Sequence, residues 1–572
     1  MRYLVFFALC LPIFAQQKGR VFVISLDGLG YQAFTQDPAA AEMKTLHGLA
    51  AKGVQGPLQS AFPSLTAPGH AALFTGVYGN VNGITANDIP VGLEQRLNGY
   101  RADQLRAEMF WLKAARNGTK VLAINPTQGY PCNGLNSGQN IALFNGYQTA
   151  ETAPAKLLRG KDVQWLEMPP IGFAPPGKSR RPMRYFEYTA GRVRFTGVVY
   201  ARTHRYDTVR MTAYGGRRYV DADLHEAENT PVGHGEKART LARYFSEALP
   251  VADVTAVHFR LFALSGDGRE FLLLQSQGKE ISLCVDDQQQ AAKLKEKLIA
   301  SAGAFVGNGA ATWYRNELLG QRYTDGLAER RFLETLELHA RQTMRHTRAL
   351  EAEFSPGLMV DYLSTADEMQ HLWAGLAAAG DKFLDRYRRW GFQIVDWRVA
   401  GLKQMMREGD SIVVVSDHGM GSVSKELRVN SLLRELGYRD RVVAQDHFLI
   451  TEPRGNRALL NEVKSKLASF RENGAPVFGE WFWPDEAAAK YGIGGDAGGD
   501  LYFDLVPGYK AVNDEKKGVM TVLVEPRGEH GPLPTRPELQ ALFVAYGPRV
   551  RQRPLPLRSV DVATVLLFIL GE

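Results

Sequence analysis

The chain has 572 residues, 45% of them apolar and 23% charged, an ordinary globular composition that excludes a disordered, collagenous or coiled-coil protein. At roughly 150 residues per domain, this length allows several domains or one large α/β enzyme with insertions. Lys+Arg number 68 against 61 Asp+Glu, and the net +7 is spread without a block of like charges. That balance suits a protein that handles anions rather than one that coats nucleic acid.

Residues 1–15 combine Arg2, an apolar run from Tyr3 to Phe14 and a small residue, Ala15, before a polar stretch. This predicts a cleavable signal peptide and a secreted or periplasmic product. The run is short for a membrane span, and no later apolar stretch reaches spanning length, so no transmembrane anchor is expected. Val562–Leu570 reads as a final buried helix. Cys132 and Cys284 fit no metal-finger spacing; they could form at most one disulfide, and the favoured reading is two separate buried thiols.

Val21–Leu26 is a continuous apolar, β-branched run, as in a strand covered on both faces. Lys120–Ile124, Gly357–Leu363, Ser411–Ser416 and Ala541–Tyr546 repeat the pattern, with helical periodicity at Leu333–Leu350 and Asp381–Met406. Strands alternating with helices predict an α/β fold, with a largely parallel central sheet and helices on both faces. Ligands of such sheets lie beyond the carboxyl ends of the strands. Three of these five strands run into Asp27, Asp367 and Asp417. Between the α/β parts, Arg192–Met211 alternates with period two. Val257–Leu264 and Glu270–Leu274 flank the turn signal Gly266-Asp267-Gly268, and Ile281–Val285 is expected to pair with the strand before Gly278. The expected organisation is a catalytic α/β domain in two parts, 16–154 and 331–572, around an inserted β-rich lobe at 155–330.

Thr66 precedes a helical stretch predicted to begin near Pro68, a favoured first-turn residue. Asp367 and His371 have i,i+4 spacing, so on a helix they share a face. Asp417-His418 follows a buried strand, and His530 sits in a glycine-flanked loop. Singly, each of these has a bland reading as a cap, a surface pair or a loop residue. Together, three Asp, three His and a Thr suit zinc better than magnesium or calcium.

These residues carry a resemblance. Asp27-Gly28, Phe62-Pro63-Ser64-Leu65-Thr66-Ala67-Pro68-Gly69-His70, Thr75-Gly76-Val77-Tyr78, Gly83-Ile84-Thr85-Ala86-Asn87, Asp367-x-x-x-His371, Asp417-His418-Gly419-Met420 and His530-Gly531 occur in the order of a known family. The chain resembles the alkaline phosphatase superfamily and, within it, the type I phosphodiesterase/nucleotide pyrophosphatase family, over about 20–150 and 335–572. The resemblance implies a two-zinc hydrolase of phosphodiester or pyrophosphate bonds acting through a phospho-threonine intermediate on a small anionic phosphoester. One zinc would take Asp27, Asp417, His418 and the nucleophile Thr66; the other would take Asp367, His371 and His530. Asn87 would donate to a non-bridging phosphate oxygen, with the backbone N–H near Thr66 as a second donor and His70 as a packing residue. Ala67 and Gly69 replace bulkier residues of the family and are expected to open space beside Thr66. Asn136–Leu143, a candidate place for a basic pair that holds a phosphate dianion, contains no Lys or Arg, which favours diesters. The alternative is a phosphomonoesterase or phosphonate hydrolase on the same centre. A sulfatase is excluded, because no cysteine of the mature chain stands in C-x-P-x-R. No nucleic-acid-binding module is expected, and the oligomeric state is open.

Overall fold

The computed structural model describes residues 19–225, 244–252, 255–302, 327–516, 518–551 and 557–572. The leader assigned to residues 1–15 lies outside them.

The elements that position the site are, in chain order, β1 (Val21–Leu26), β2 (Val54–Gln59), α1 (Thr66–Thr75), β3 (Val121–Ile124), β4 (Ile141–Asn145), β5 (Ser282–Cys284), α2 (Leu327–Phe354), β6 (Leu358–Leu363), α3 (Thr365–Ala378), α4 (Asp385–Lys403), β7 (Ser411–Val415), β8 (Met520–Glu529), β9 (Ala541–Tyr546), β10 (Leu557–Arg558) and α5 (Asp561–Leu570). A nine-stranded sheet runs β5-β4-β3-β6-β1-β7-β9-β2-β10. Its middle, β4-β3-β6-β1-β7, is wholly parallel. β9 runs antiparallel to both of its neighbours, so the sheet is largely parallel, as its apolar strands predict.

Burial on both faces explains the strand sequences. Successive strand side chains point to opposite faces. Phe22, Ile24 and Leu26 of β1 join one core with Ile412 and Val414 of β7, under α2 and α4. Val21 and Val23 join the other core with Val413 and Val415, under α1 and α5. A strand with helices above and below has no face for polar residues, hence VFVISL and SIVVV. The last helix spans Asp561–Leu570 and buries Val562, Leu566 and Ile569, as its apolar run predicts.

The middle of the chain is antiparallel. Arg184–Ala190, Val193–Tyr200, Thr208–Ala213 and Val220–Asp223 form successive hairpins, and Phe259–Leu264 pairs with Phe271–Gln275 across the predicted turn. Two expectations for this region are corrected. Ile281–Val285 does not pair with the strand before Gly278; its central residues form β5, which pairs with β4 at the edge of the main sheet. Cys132 and Cys284 are not separate buried thiols. They form a disulfide with Cα atoms 6.4 Å apart, and both are only half-buried. The β4–β5 pairing carries Cys284 across 152 residues of sequence to Cys132, an encounter that no local pattern announces.

One buried charge pair lies beneath the sheet. Asp361 of β6 binds Arg398 of α4, both side chains fully buried, and the same guanidinium donates to Thr347 of α2 at 2.7 Å. Removing one partner of such a pair leaves an uncompensated buried charge. Arg398→Met should lower stability by about 3–5 kcal/mol in chemical denaturation, and Arg398→Met/Asp361→Leu should recover part of the loss. A second prediction concerns pH. Burial pushes His258 down to about 4, and its Nδ1 donates to the Ser246 carbonyl at 2.8 Å. Between 6.5 and that value the unfolded chain binds the extra proton, so His258 costs stability as pH falls through this window and nothing above it. The loss is on the order of 3 kcal/mol at about 1.4 kcal/mol per pKa unit. His258→Gln should flatten the acid limb of the stability curve; a limb as steep as that of the wild type would contradict this account.

Candidate metal-binding active site

The parallel register builds the site. β1 lies between β6 and β7, with Leu26 opposite Leu363 and Ser25 opposite Val415. The residues just beyond these strand ends therefore converge. The Asp27 N–H donates to the Leu363 carbonyl at 3.0 Å, and the Gly28 N–H donates to Asp417 Oδ1 at 3.1 Å. Gly28 is required here: its φ is +69°, and a Cβ would fall 2.8 Å from Cα and Cβ of Asp367.

Helix α1 begins at Thr66 itself, two residues before the predicted start, with Leu65 as N-cap. Thr66 Oγ1 lies 3.3 Å from His418 Nε2, and the same nitrogen is 3.2 Å from Asp417 Oδ2 and 3.5 Å from Asp27 Oδ1. On the other side, Asp367 Oδ1 is 3.3 Å from His371 Nε2 and 3.7 Å from His530 Nε2. The His371 and His530 rings are 5.0 Å apart, and His530 stacks on His418 at 3.7 Å. All seven sequence-derived candidates for metal ligation thus come together.

Hydrogen bonding orients the three histidines alike. Nδ1 of His418 donates to the Gly419 carbonyl at 3.0 Å, that of His371 to Gly528 at 2.9 Å, and that of His530 to Ser64 at 2.8 Å. Fixing the proton on Nδ1 turns each Nε2 lone pair toward the carboxylates, the arrangement of histidines that hold a metal. Asp27 Oδ1, Asp367 Oδ1 and Asp417 Oδ2 are buried without a hydrogen-bond partner. Tetrahedral bonds of about 2.0–2.2 Å would set ligand edges of about 3.3–3.6 Å, close to the separations here. These residues fit divalent cations.

The electrostatics agree. Burial, then Asp417 and Asp367, push the Asp27 carboxyl well above the usual carboxylate range. Burial, reinforced by His418, pushes His530 down to about 3, so it stays neutral. Burial opposes a charge on His371, but Asp367 and Glu529 outweigh it and hold the ring at about 9. Burial also opposes a charge on Asp367, where His371 prevails and keeps the carboxyl below its ordinary value. Without a cation, His371 therefore keeps a second proton on Nε2 toward Asp367, and a bound cation would take that proton's place and use the lone pair.

His70 clusters with Asp27 and Asp417 but presents no free lone pair. Its Nε2 meets Ser25 Oγ at 2.8 Å, and its Nδ1 lies 2.9 Å from the Thr66 carbonyl and 3.2 Å from Asp417 Oδ2. Asn87 Oδ1 accepts the Ala67 N–H at 2.9 Å. That bond orients the amide and also uses the donor, so the Ala67 N–H is not the free backbone donor expected beside Thr66. Nor do Ala67 and Gly69 open space. Ala67 is fully buried in the core, and a Cβ on Gly69 would meet Asp417 Cβ at 3.0 Å, so the glycine lets α1 pack against the Asp417 strand end.

Sequence reasoning missed three residues. The Tyr362 hydroxyl donates to Asp27 Oδ2; Tyr362 is the fifth residue of β6, and its strand position was visible but its neighbour was not. Tyr100 lines the cavity beside Thr66, and nothing in its loop sequence signals it. Glu529 Oε2 lies 3.5 Å from His371 Nδ1 and its other oxygen binds Lys510 at 2.7 Å. Two cavities flank the centre. A groove of ≈ 1040 Å³ runs past Asn87, His371 and His530, and a smaller one of ≈ 220 Å³ lies beside Thr66 and Asp27.

The family model for type I phosphodiesterase / nucleotide pyrophosphatase matches residues 21–201 and 286–533. The chain belongs to this family. It is a phosphoric ester hydrolase, of a family of metallohydrolases named for phosphodiester and pyrophosphate bonds. The fold is similar to that of phosphonoacetate hydrolase from Sinorhizobium meliloti 1021, solved in complex with phosphonoformate. The identity is 15%, the TM-score 0.50, and the likeness covers 97% of this chain and 96% of that one. Murine ectonucleotide pyrophosphatase / phosphodiesterase 5 is 13% identical over 96% of this chain and 95% of its own, with a TM-score of 0.47. No curated protein sequence matches the chain.

For a phosphodiesterase-family centre of this kind, metal binding is linked to stability. Dialysis against a chelator should lower Tm and a divalent cation should restore it, measured by differential scanning fluorimetry. A Tm indifferent to both treatments would remove the metal reading.

Proposed function

We propose that this family member hydrolyses phosphodiester or pyrophosphate bonds through Thr66, at a centre of two zinc ions. Asp27, Asp417, His418 and Thr66 would hold one ion, and Asp367, His371 and His530 the other. The observation that carries this reading is the set of three Nε2 lone pairs and three partnerless carboxylate oxygens turned into one pocket around the Thr66 hydroxyl. When bound, the two cations would activate a hydroxyl that is otherwise protonated at neutral pH and would offset the phosphoryl charge.

The protein's own groups do the rest. Thr66 Oγ1, held at the first turn of α1, attacks phosphorus in line, forming the phospho-Thr66 ester as the bond to the leaving alcohol or phosphate breaks. Water then cleaves that ester and returns the hydroxyl. Asn87, braced through Oδ1 by Ala67, faces the larger groove and supplies its amide N–H to a non-bridging oxygen. A donor of this kind contributes about 2.7–4 kcal/mol to the barrier. Tyr362, kept protonated by burial and by the Asp27 charge, fixes the Asp27 carboxylate.

The working location is outside the cytoplasm. The Arg2–Ala15 leader pattern and the Cys132–Cys284 disulfide both support this, since such bonds persist in oxidising compartments. No helix among the described residues is long and apolar enough to cross a membrane. The family match leaves out 202–285, which supports an insertion within 155–330.

Thr66→Ala should lower kcat on bis(p-nitrophenyl) phosphate by at least about 10³-fold while metal analysis still finds two zinc per chain. Retained activity with full zinc would eliminate Thr66 as the nucleophile. On the wild type, a clear preference for p-nitrophenyl phosphate over the diester would favour the monoesterase alternative.

A further inference from the structure

The smaller cavity, beside Thr66, has a wall unlike the metal-facing one. It is formed by Asn125, Pro126 and Thr127, directly beyond the carboxyl end of β3, together with Tyr100 and Tyr147. Asn125 is 1% exposed and Thr127 6% exposed. Yet Asn125 Nδ2 and Thr127 Oγ1 have no hydrogen-bond partner. Such groups are costly to bury unpaired, so a cavity lined by them is built to be filled by something that hydrogen bonds.

The orientation of Asn125 is imposed by its surroundings. Its φ is +51°, a left-handed conformation that Asn tolerates better than most residues. Its N–H donates to the Phe144 carbonyl at 2.8 Å, and its Oδ1 accepts the Gly146 N–H at 2.9 Å. With both of those groups used, Nδ2 is the one left over. Behind it Gln128, fully buried and also at φ +51°, ties the loop to Gly99 at 2.7 Å. The loop is therefore braced from both sides.

Charge narrows the occupant. No Lys or Arg lines this cavity, whereas Asp27, Asp367 and Glu368 do. The stretch expected from sequence to supply or lack a basic pair, Asn136–Leu143, is not part of its wall; Asn136 instead donates to the Gln128 and Pro131 carbonyls at 3.0 Å each. With Asp27 and Asp367 committed to the cations, a second anionic group entering here would meet Glu368 and no cationic side chain. An apolar group would strand Nδ2 and Oγ1.

From this we infer that the cavity is a specificity subsite for an uncharged, hydroxyl-bearing substituent on phosphorus, such as a glyceryl or sugar group, with Asn125 and Thr127 as its hydrogen-bonding residues. This rests on the reading of Thr66 as nucleophile and narrows its substrate class to diesters carrying one neutral polyhydroxylated group. The volume of ≈ 220 Å³ leaves room for such a group.

The test uses three p-nitrophenyl phosphodiesters whose second substituent is methyl, 2,3-dihydroxypropyl or 2-carboxyethyl. Rates are measured on the metal-loaded wild type, Asn125→Ala, Thr127→Val and Asn125→Lys. Affinities of the same three esters are measured by calorimetry on Thr66→Ala. The expected wild-type order of kcat/KM is dihydroxypropyl over methyl by tenfold or more, with carboxyethyl last. That ratio should collapse toward one in Asn125→Ala and Thr127→Val, and Asn125→Lys should raise carboxyethyl relative to the others. Equal rates for methyl and dihydroxypropyl, or a ratio unchanged in both variants, would overturn the subsite while leaving the phosphodiesterase reading in place. If none of the esters turns over, that reading falls, and the calorimetric order on Thr66→Ala still decides the subsite.

Discussion

Three aspartates, Asp27, Asp367 and Asp417, are driven into one buried pocket by the parallel register of three neighbouring strands, and the rest of the site answers that accumulation of charge. Carboxylates at such separations repel one another strongly once water is excluded. The raised ionisation range of Asp27 and the proton retained between Asp367 and His371 are two consequences of the same constraint. The sheet holds them there because its strands are gripped by helices on both faces, and the backbone just beyond them is tied by the Asp27 and Gly28 N–H bonds.

The histidines complete this arrangement from three different parts of the chain. His371 comes from the helix after β6, His418 from the turn after β7 and His530 from the end of a long antiparallel strand, β8. What unifies them is not their origin but their tethering. Each gives its Nδ1 proton to a backbone carbonyl, so each presents the same nitrogen inward. His70 is the instructive contrast: it is as buried and as close to a carboxylate, yet it spends both nitrogens on Ser25 and on the Thr66 turn. Proximity alone would class it with the other three histidines; hydrogen bonding makes it a brace for the helix that begins at Thr66.

Much of this was legible in the sequence, and the omissions have a common cause. Strand ends carrying Asp27, Asp367 and Asp417 were visible because doubly covered strands are continuous apolar runs, and a carboxylate just past such a run stands out. The i,i+4 spacing of Asp367 and His371 was legible because it is local. Tyr100, Tyr362 and the Cys132–Cys284 pair were not, since each owes its role to a partner tens to hundreds of residues away. Gly69 was misread for the same reason. In sequence it is a missing side chain beside Thr66, whereas in space it is the contact that lets α1 approach Asp417. The wall of Asn125 and Thr127 was overlooked in favour of Asn136–Leu143, because which loop faces Thr66 depends on the order of strands in the sheet.

By itself the sequence determined the class of fold, the strand ends that carry carboxylates, the local Asp367–His371 face and the chemistry that a set of Asp, His and Thr suits. These follow from periodicity and residue type, which act over a few residues. Only the tertiary structure decided which strands are neighbours, which histidine nitrogen points inward, that the cysteines join, and that one wall of the cavity beside Thr66 carries neutral amide and hydroxyl groups. Those are matters of register and packing between distant segments, and they come from the free energy of the whole assembled core, which no short stretch of chain contains.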